Sequence, residues 1–94
     1  MPESGRERRR VRYSGHVQGV GFRYTTLCVS RAFAVTGYVL NLPDGGVEVL
    51  VDGYPRVLDR FLAAVGERLE QNIEEARTEV VTRDERFTTF SIRY

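Results

Sequence analysis

From Val11 the chain alternates: Val11, Tyr13, Gly15 and Val17 stand apart from Arg12, Ser14 and His16, a period of two that predicts a strand. Gly15, Gly19 and Gly21 break that rhythm within seven residues, so a loop follows. Phe22, Thr26, Val29, Ser30 and Phe33 then recur at helical spacing and predict an amphipathic helix over Arg23–Ala34. Thr36–Leu42 and Val47–Asp52 read as strands. Between them Pro43-Asp44-Gly45-Gly46 is a hairpin signal, because Gly reaches positive φ without a Cβ clash and Asp favours the turn. Pro55 suits the first turn of a second helix, whose apolar stripe is Val57, Leu58, Phe61, Leu62, Val65 and Leu69. Arg77–Arg83 and Thr88–Tyr94 read as two further strands with Asp84-Glu85-Arg86 turning between them.

This order, β-α-β-β-α-β plus a terminal strand, predicts an α+β ferredoxin-like sandwich. Right-handed crossovers put both helices on one face of an antiparallel sheet. The stretch Met1–Arg10 is polar, with Arg6, Arg8, Arg9 and Arg10 interleaved with Glu3 and Glu7. It reads as a flexible leader, residues 1–10, ahead of a domain over 11–94; a basic arm for anionic partners is the sharper alternative.

Composition narrows the chemistry. Ninety-four residues, 41% hydrophobic and 29% charged, make one ordinary domain and exclude a multidomain enzyme. No apolar run approaches the ~20 residues that span a bilayer, and the charged N-terminus holds no signal-peptide core. A single cysteine, Cys28, excludes an internal disulfide and fits a reducing cytoplasm. The net charge of +1 supplies no global field for nucleic acid or a membrane surface. All fourteen basic residues are Arg, so a Walker-A loop and lysine Schiff-base chemistry are both impossible. One histidine, His16, cannot build a multi-histidine metal site.

The informative stretch is Gly15-His16-Val17-Gln18-Gly19-Val20-Gly21-Phe22-Arg23, running from a strand end into a helix start. Glycine-rich backbone there can curl so that successive N–H groups converge on an anion, with the positive end of the helix dipole aimed at the same point. Arg23 falls in the first helical turn, where a cation is locally unfavourable by ~0.3–1 kcal/mol. A bound phosphate or carboxylate, clasped by the guanidinium fork, reverses that sign. A glycine-bearing strand-loop-helix junction with no ligand is the alternative on these grounds. A dinucleotide fingerprint fails, because the third glycine would fall on Tyr24. Gly19–Tyr24 is also superficially similar to an RNA-recognition octamer, but those aromatics belong in a central strand and this run opens a helix.

Gly15-x-Val17-Gln18-Gly19-Val20-x-Phe22-Arg23, followed by Gly37-x-Val39-x-Asn41-x-x-Asp44-Gly45-x-Val47-Glu48, resembles the two signatures of the acylphosphatases. The resemblance extends from about Val11 to Tyr94 and includes the closing Phe87-x-x-Phe90-x-Ile92 pattern. It implies hydrolysis of acyl phosphates, the mixed anhydrides of a carboxylic acid and phosphate, to carboxylate and inorganic phosphate. It also implies that no metal and no other cofactor is needed. Carried onto this sequence, the amides of Gly15, His16, Val17, Gln18, Gly19, Val20, Gly21 and Phe22 bind the phosphate together with Arg23, and Asn41 orients the attacking water. The implied partners are a small-molecule acyl phosphate and inorganic phosphate, with a cytoplasmic, monomeric enzyme expected. Ala34, Tyr38 and Leu40 depart from the family's usual residues, as does the apolar run Leu27-Cys28-Val29. None of these touches Arg23 or Asn41. The kindred module that opens hydrogenase-maturation carbamoyltransferases is the runner-up, and no zinc-finger cysteines accompany this chain.

The other site residues have bland readings too. Asn41 beside Pro43-Asp44-Gly45 could be a turn-entry residue bonding its own backbone. Gln18 is expected to shape the loop by hydrogen bonding, Thr26 to return its hydroxyl to a carbonyl one turn back, and His16 to contribute only its amide.

Overall fold

The computed structural model describes residues 5–94. The elements run β1 (Glu7–Gly15), α1 (Phe22–Ser30), β2 (Thr36–Asn41), β3 (Val47–Gly53), α2 (Pro55–Arg68), β4 (Ile73–Val81) and β5 (Phe90–Arg93), which is the predicted order. One sheet has the strand order β4-β1-β3-β2-β5. Central β3 is antiparallel to both β1 and β2, and β4 pairs antiparallel with β1.

The sheet is mixed where an antiparallel one was expected: β5 lies parallel to β2, with Gly37 opposite Phe90 and Leu40 opposite Arg93. Topology supplies the reason. The end of β4 lies at the same end of the sheet as the start of β2, and the connection over 82–89 crosses that end to the free edge of β2. The chain therefore restarts from there and runs in the direction of β2.

Alternation puts Val11 and Tyr13 of β1, Val39 of β2, and Val47, Val49 and Val51 of β3 on one face. They meet Phe22 and Val29 of α1 and Leu58, Phe61 and Val65 of α2 in a single cluster, so both helices cover the same face. Ring contacts bind the layers: Tyr13 to Phe22 at 5.0 Å between centroids, and Phe61 to Phe90 at 5.6 Å. Burial of each such side chain stabilises by about 1.5–3 kcal/mol. Helix α1, nine residues long, is too short to persist without that packing.

The largest differences in boundaries from the sequence reading fall in β1, α1 and β4. The chain is already in a strand at Glu7, so the flexible leader expected over 1–10 does not extend through its last four residues; its first four lie outside the described residues. Arg8 explains the early start. It sits directly opposite Asp52 on β3, is 2% exposed, and donates to both carboxylate oxygens at 2.6 and 3.1 Å. The carbonyl of Glu85 and the ring of Phe87, its centroid 4.9 Å from the guanidinium, close the site from the β4–β5 connection. Helix α1 stops at Ser30 rather than Ala34. Arg31, Ala32 and Phe33 donate to Cys28, Val29 and Ser30 in tightened turns. Strand β4 begins at Ile73 and ends at Val81, four and two residues earlier than Arg77–Arg83.

The uncovered face carries cross-strand polar pairs. Glu48, 7% exposed, accepts from Arg12 at 3.1 Å and from the Tyr38 hydroxyl at 3.0 Å. Among the described residues no helix is long and apolar enough to cross a membrane.

Candidate active site

The loop over 16–21 leaves β1 at Gly15 and enters α1 at Phe22. Val17 is 1% exposed and pins it into the core. Gln18 fixes it laterally, its Nε2 donating at 2.8 Å to the carbonyls of both Leu42 and Gly46 in the β2–β3 turn. This is the loop-shaping role expected of Gln18, and it ties the loop to the strand end that carries Asn41.

Gly19 and Gly21 have φ of +78° and +81°. Val20 between them is not in the positive range, since every described residue there is glycine. Left-handed residues in a short loop of this kind let successive N–H groups turn toward a common point, as anion-binding concavities require. The helix continues the pattern. Its N-cap is Gly21, no side chain caps it, and its first turn holds no acidic residue. The first helical bond comes from the Thr25 N–H to the Gly21 carbonyl, which leaves the amides of the first turn facing outward with the positive end of the helix dipole.

Arg23 extends from that turn. Its guanidinium lies 4.9 Å from the centroid of the Tyr94 ring and makes no ion pair among the described residues. Asn41 ends β2, and the register brings it near: Tyr13 and Asn41 both sit opposite Val47, one on each side of β3. Its amide carries no side-chain bond to another described residue. The turn-making bond belongs instead to Asp44, whose carboxylate accepts from the Gly46 N–H at 2.9 Å. Thr26 is buried and donates to the Phe22 carbonyl at 2.8 Å, the bond expected of it.

Arg23, Asn41, Gly19, Gly21, Val17 and Phe22 line one cleft of about 220 Å³, together with Tyr24, Ile92 and Tyr94. The other predicted loop residues do not line it. Gly15 borders a separate groove with Arg12 and Asp44, His16 is exposed, Gln18 faces the hairpin, and Val20 packs against the core. Conversely, the sequence reading gave no site role to Tyr24, Ile92 or Tyr94. Only the parallel β2–β5 register, Val39 opposite Ile92 and Leu40 opposite Arg93, brings the last strand beside Asn41. A non-local pairing leaves no trace in local periodicity.

The lining offers glycine-rich backbone, one guanidinium and one carboxamide, and no Asp or Glu side chain. Such a site can hold a tetrahedral anion and spread its charge by preorganised donors. An apolar groove of about 430 Å³ lies between α2 and β4 but has no cation. Among the described residues no group of three or more His, Cys, Asp or Glu could hold a metal ion.

A family model described as acylphosphatase matches residues 9–92. An acylphosphatase of Archaeoglobus fulgidus is 56% identical over 52 residues, which are 55% of this chain and 58% of that relative. One from Lactobacillus johnsonii is 33% identical over 86 residues, 89% of this chain and 94% of its own length. Among solved structures, the crystal structure of acylphosphatase from Bacillus subtilis superposes with a TM-score of 0.81 at 30% identity, covering 93% of this chain and 98% of that one.

Proposed function

The chain belongs to the acylphosphatase family, whose reaction is the hydrolysis of acyl phosphates, and from that premise we propose that, of the loop amides expected over 15–22, those of the cleft-lining Val17, Gly19, Gly21 and Phe22 hold the phosphoryl group with Arg23 while Asn41 orients the water. The observation that supports this division is the shared cleft, lined by two left-handed glycines at an uncapped helix start, a guanidinium without an ion pair and an unbonded carboxamide.

The chemistry asks for little more. The leaving group is a carboxylate, whose acid has a pKa of roughly 4–5 by analogy with Asp and Glu, so it departs at neutral pH without a general acid. The water oxygen bonds to phosphorus as the bond from phosphorus to the acyl oxygen breaks, and that electron pair leaves with the carboxylate. One water proton passes to a phosphoryl oxygen and the other stays on the entering oxygen, so the products are carboxylate and dihydrogen phosphate. The amides and Arg23 stabilise the charge on the phosphoryl oxygens. Asn41, with both a donor and an acceptor, holds the water in line.

The polar edge strand β4, paired only with β1 and carrying Glu74, Glu75, Arg77 and Glu79, supports a monomer. The half-buried free thiol of Cys28 supports a reducing, cytoplasmic setting.

Benzoyl phosphate hydrolysis tests the site. Turnover is expected without added metal, unchanged by chelator and inhibited competitively by inorganic phosphate. Arg23→Gln should lose both activity and phosphate binding. Asn41→Ala should lose about 10²–10³ in kcat, the scale of removing one positioning donor, and keep its phosphate affinity. Equal loss of phosphate affinity in both variants would overturn the division of roles.

A further inference from the structure

The lining of the cleft is divided by polarity. The polar groups are the loop backbone at Gly19 and Gly21, Arg23 and Asn41; the large apolar surfaces beside them, besides the buried Val17 and Phe22, are Tyr24, Ile92 and Tyr94. Tyr24 and Tyr94 are 63% and 96% exposed, two of the few large apolar side chains that this protein leaves in water, and both border this cleft. Tyr94 is also oriented. Arg23 lies over its ring at 4.9 Å, a cation–π contact that holds the ring beside the phosphate cradle.

An acyl phosphate is divided the same way. Only the bridging oxygen and the carbonyl carbon separate phosphorus from the acyl substituent, so a phosphoryl group seated at Arg23 leaves that substituent within the same cleft. The polar side is already committed to phosphate and water. We propose that Tyr94 and Tyr24, with Ile92 beside them, form the acyl subsite of the enzyme, and that this subsite selects apolar and aryl acyl groups over small ones. The proposal rests on the phosphate-cradle reading above and adds the specificity it lacks.

An aryl group stacked on a tyrosine gains about three- to tenfold in affinity beyond the area it buries. An acetyl group is too small to stack. The experiment compares kcat/KM for benzoyl phosphate and acetyl phosphate in the full chain and in Tyr94→Ala, Tyr24→Ala and Tyr94→Phe. The readout is the benzoyl-to-acetyl ratio. Any disturbance of Arg23 cancels in it, because both substrates carry the same phosphoryl group.

The wild-type ratio should exceed one. It should fall by about three- to tenfold in Tyr94→Ala and Tyr24→Ala, through KM for the aryl substrate, and return in Tyr94→Phe, which keeps the ring. Both tyrosines are exposed, so each variant should fold, and circular dichroism checks this. A wild-type ratio near one, or a ratio unmoved by both alanine variants, overturns the acyl subsite and leaves the phosphate cradle standing. Absence of turnover on both substrates by the folded wild-type chain overturns the cradle, and the subsite with it.

Discussion

At single residues, glycine serves this fold in two physically different ways. Around Gly21, φ +81°, an added Cβ would meet nothing within 4 Å. What a side chain loses there is conformational alone, about 1–2 kcal/mol for an L-residue held in the left-handed region. Gly37, φ +140°, is a matter of space, since its Cβ would lie 1.9 Å from the Leu50 carbonyl oxygen across the β2–β3 pair. Gly21→Ala is therefore expected to fold with a urea midpoint lowered by that modest amount. Its phosphate affinity should drop further than its stability, because the loop relaxes toward negative φ and its amides diverge. Gly37→Ala should fail to give a cooperative unfolding transition. Equal stability in the two variants would mean that the sheet yields at Gly37. Gly21 announces itself in the sequence, within a run of three glycines between a strand and a helix. Gly37 stands out there only as the first residue of the second signature, and no local pattern explains it, because its constraint comes from Leu50 on the neighbouring strand.

Among the elements, legibility follows what each side chain faces. Helices α1 and α2 and strand β2 emerge from the pattern because each has one dry face, and the loop because of its glycines. Strand β3, buried along its whole length, emerges because Val47, Val49 and Val51 alternate with Glu48 and Asp52; the cluster of Phe22, Val39, Val49, Leu58 and Phe61 is that pattern closed in space. Strand β4 escapes its true span because all but its end residues are exposed, so hydrophobicity has nothing to alternate against. Phe33 continues the helical period past Ser30 and so hides the tightened turns that end α1. Strand β1 is misread at its start for the opposite reason, since Arg8 reads as solvated and is among the most buried side chains in the protein. The carboxylate of Asp52, bonded to Arg8, raises the guanidinium pKa against the opposing effect of burial. A buried pair of this kind is costly to break but contributes little net stability over apolar replacements. Asp52→Ala is expected to destabilise by about 3–5 kcal/mol, leaving a buried cation with carbonyl and ring partners and only the longer, 3.4 Å contact to the exposed carboxylate of Asp84. The double variant Arg8→Met with Asp52→Leu should recover most of that loss. Denaturant titration of the two variants decides the point: if the double variant is as unstable as Asp52→Ala, the pair is a net stabiliser and its geometry outweighs its desolvation.

Across the whole molecule, the arrangement concentrates apolar burial on one face and at one end. Strands β1, β2 and β5 run in the same direction, so the loop after β1, Asn41 at the end of β2 and Tyr94 beyond β5 converge where the sheet meets α1. Tyr13 links that end to the core. It is 4% exposed and its ring packs, tilted by 54° and 5.0 Å between centroids, on Phe22, the first residue of the helix whose next residue is Arg23. Burial pushes its phenol well above the ordinary tyrosine range. Tyr38 is raised too, by burial first and then by its hydrogen bond to Glu48. A folded-state pKa above the unfolded value means that the folded protein holds the proton more tightly. The stabilisation is complete below the unfolded tyrosine pKa of about 10 and is lost as pH climbs through the folded value. Stability should thus be flat through neutrality and fall above about pH 10, by up to about 1.4 kcal/mol per pH unit for each such group. Tyr13→Phe keeps the ring and removes the titration, so its alkaline limb should be shallower than the wild type's, the remaining slope belonging in part to Tyr38. Urea midpoints measured from pH 8 to 11.5 make the comparison. An identical slope in Tyr13→Phe would show that the phenol reaches water before the fold gives way, and that the packing around Phe22 and the head of α1 is looser than the buried ring implies.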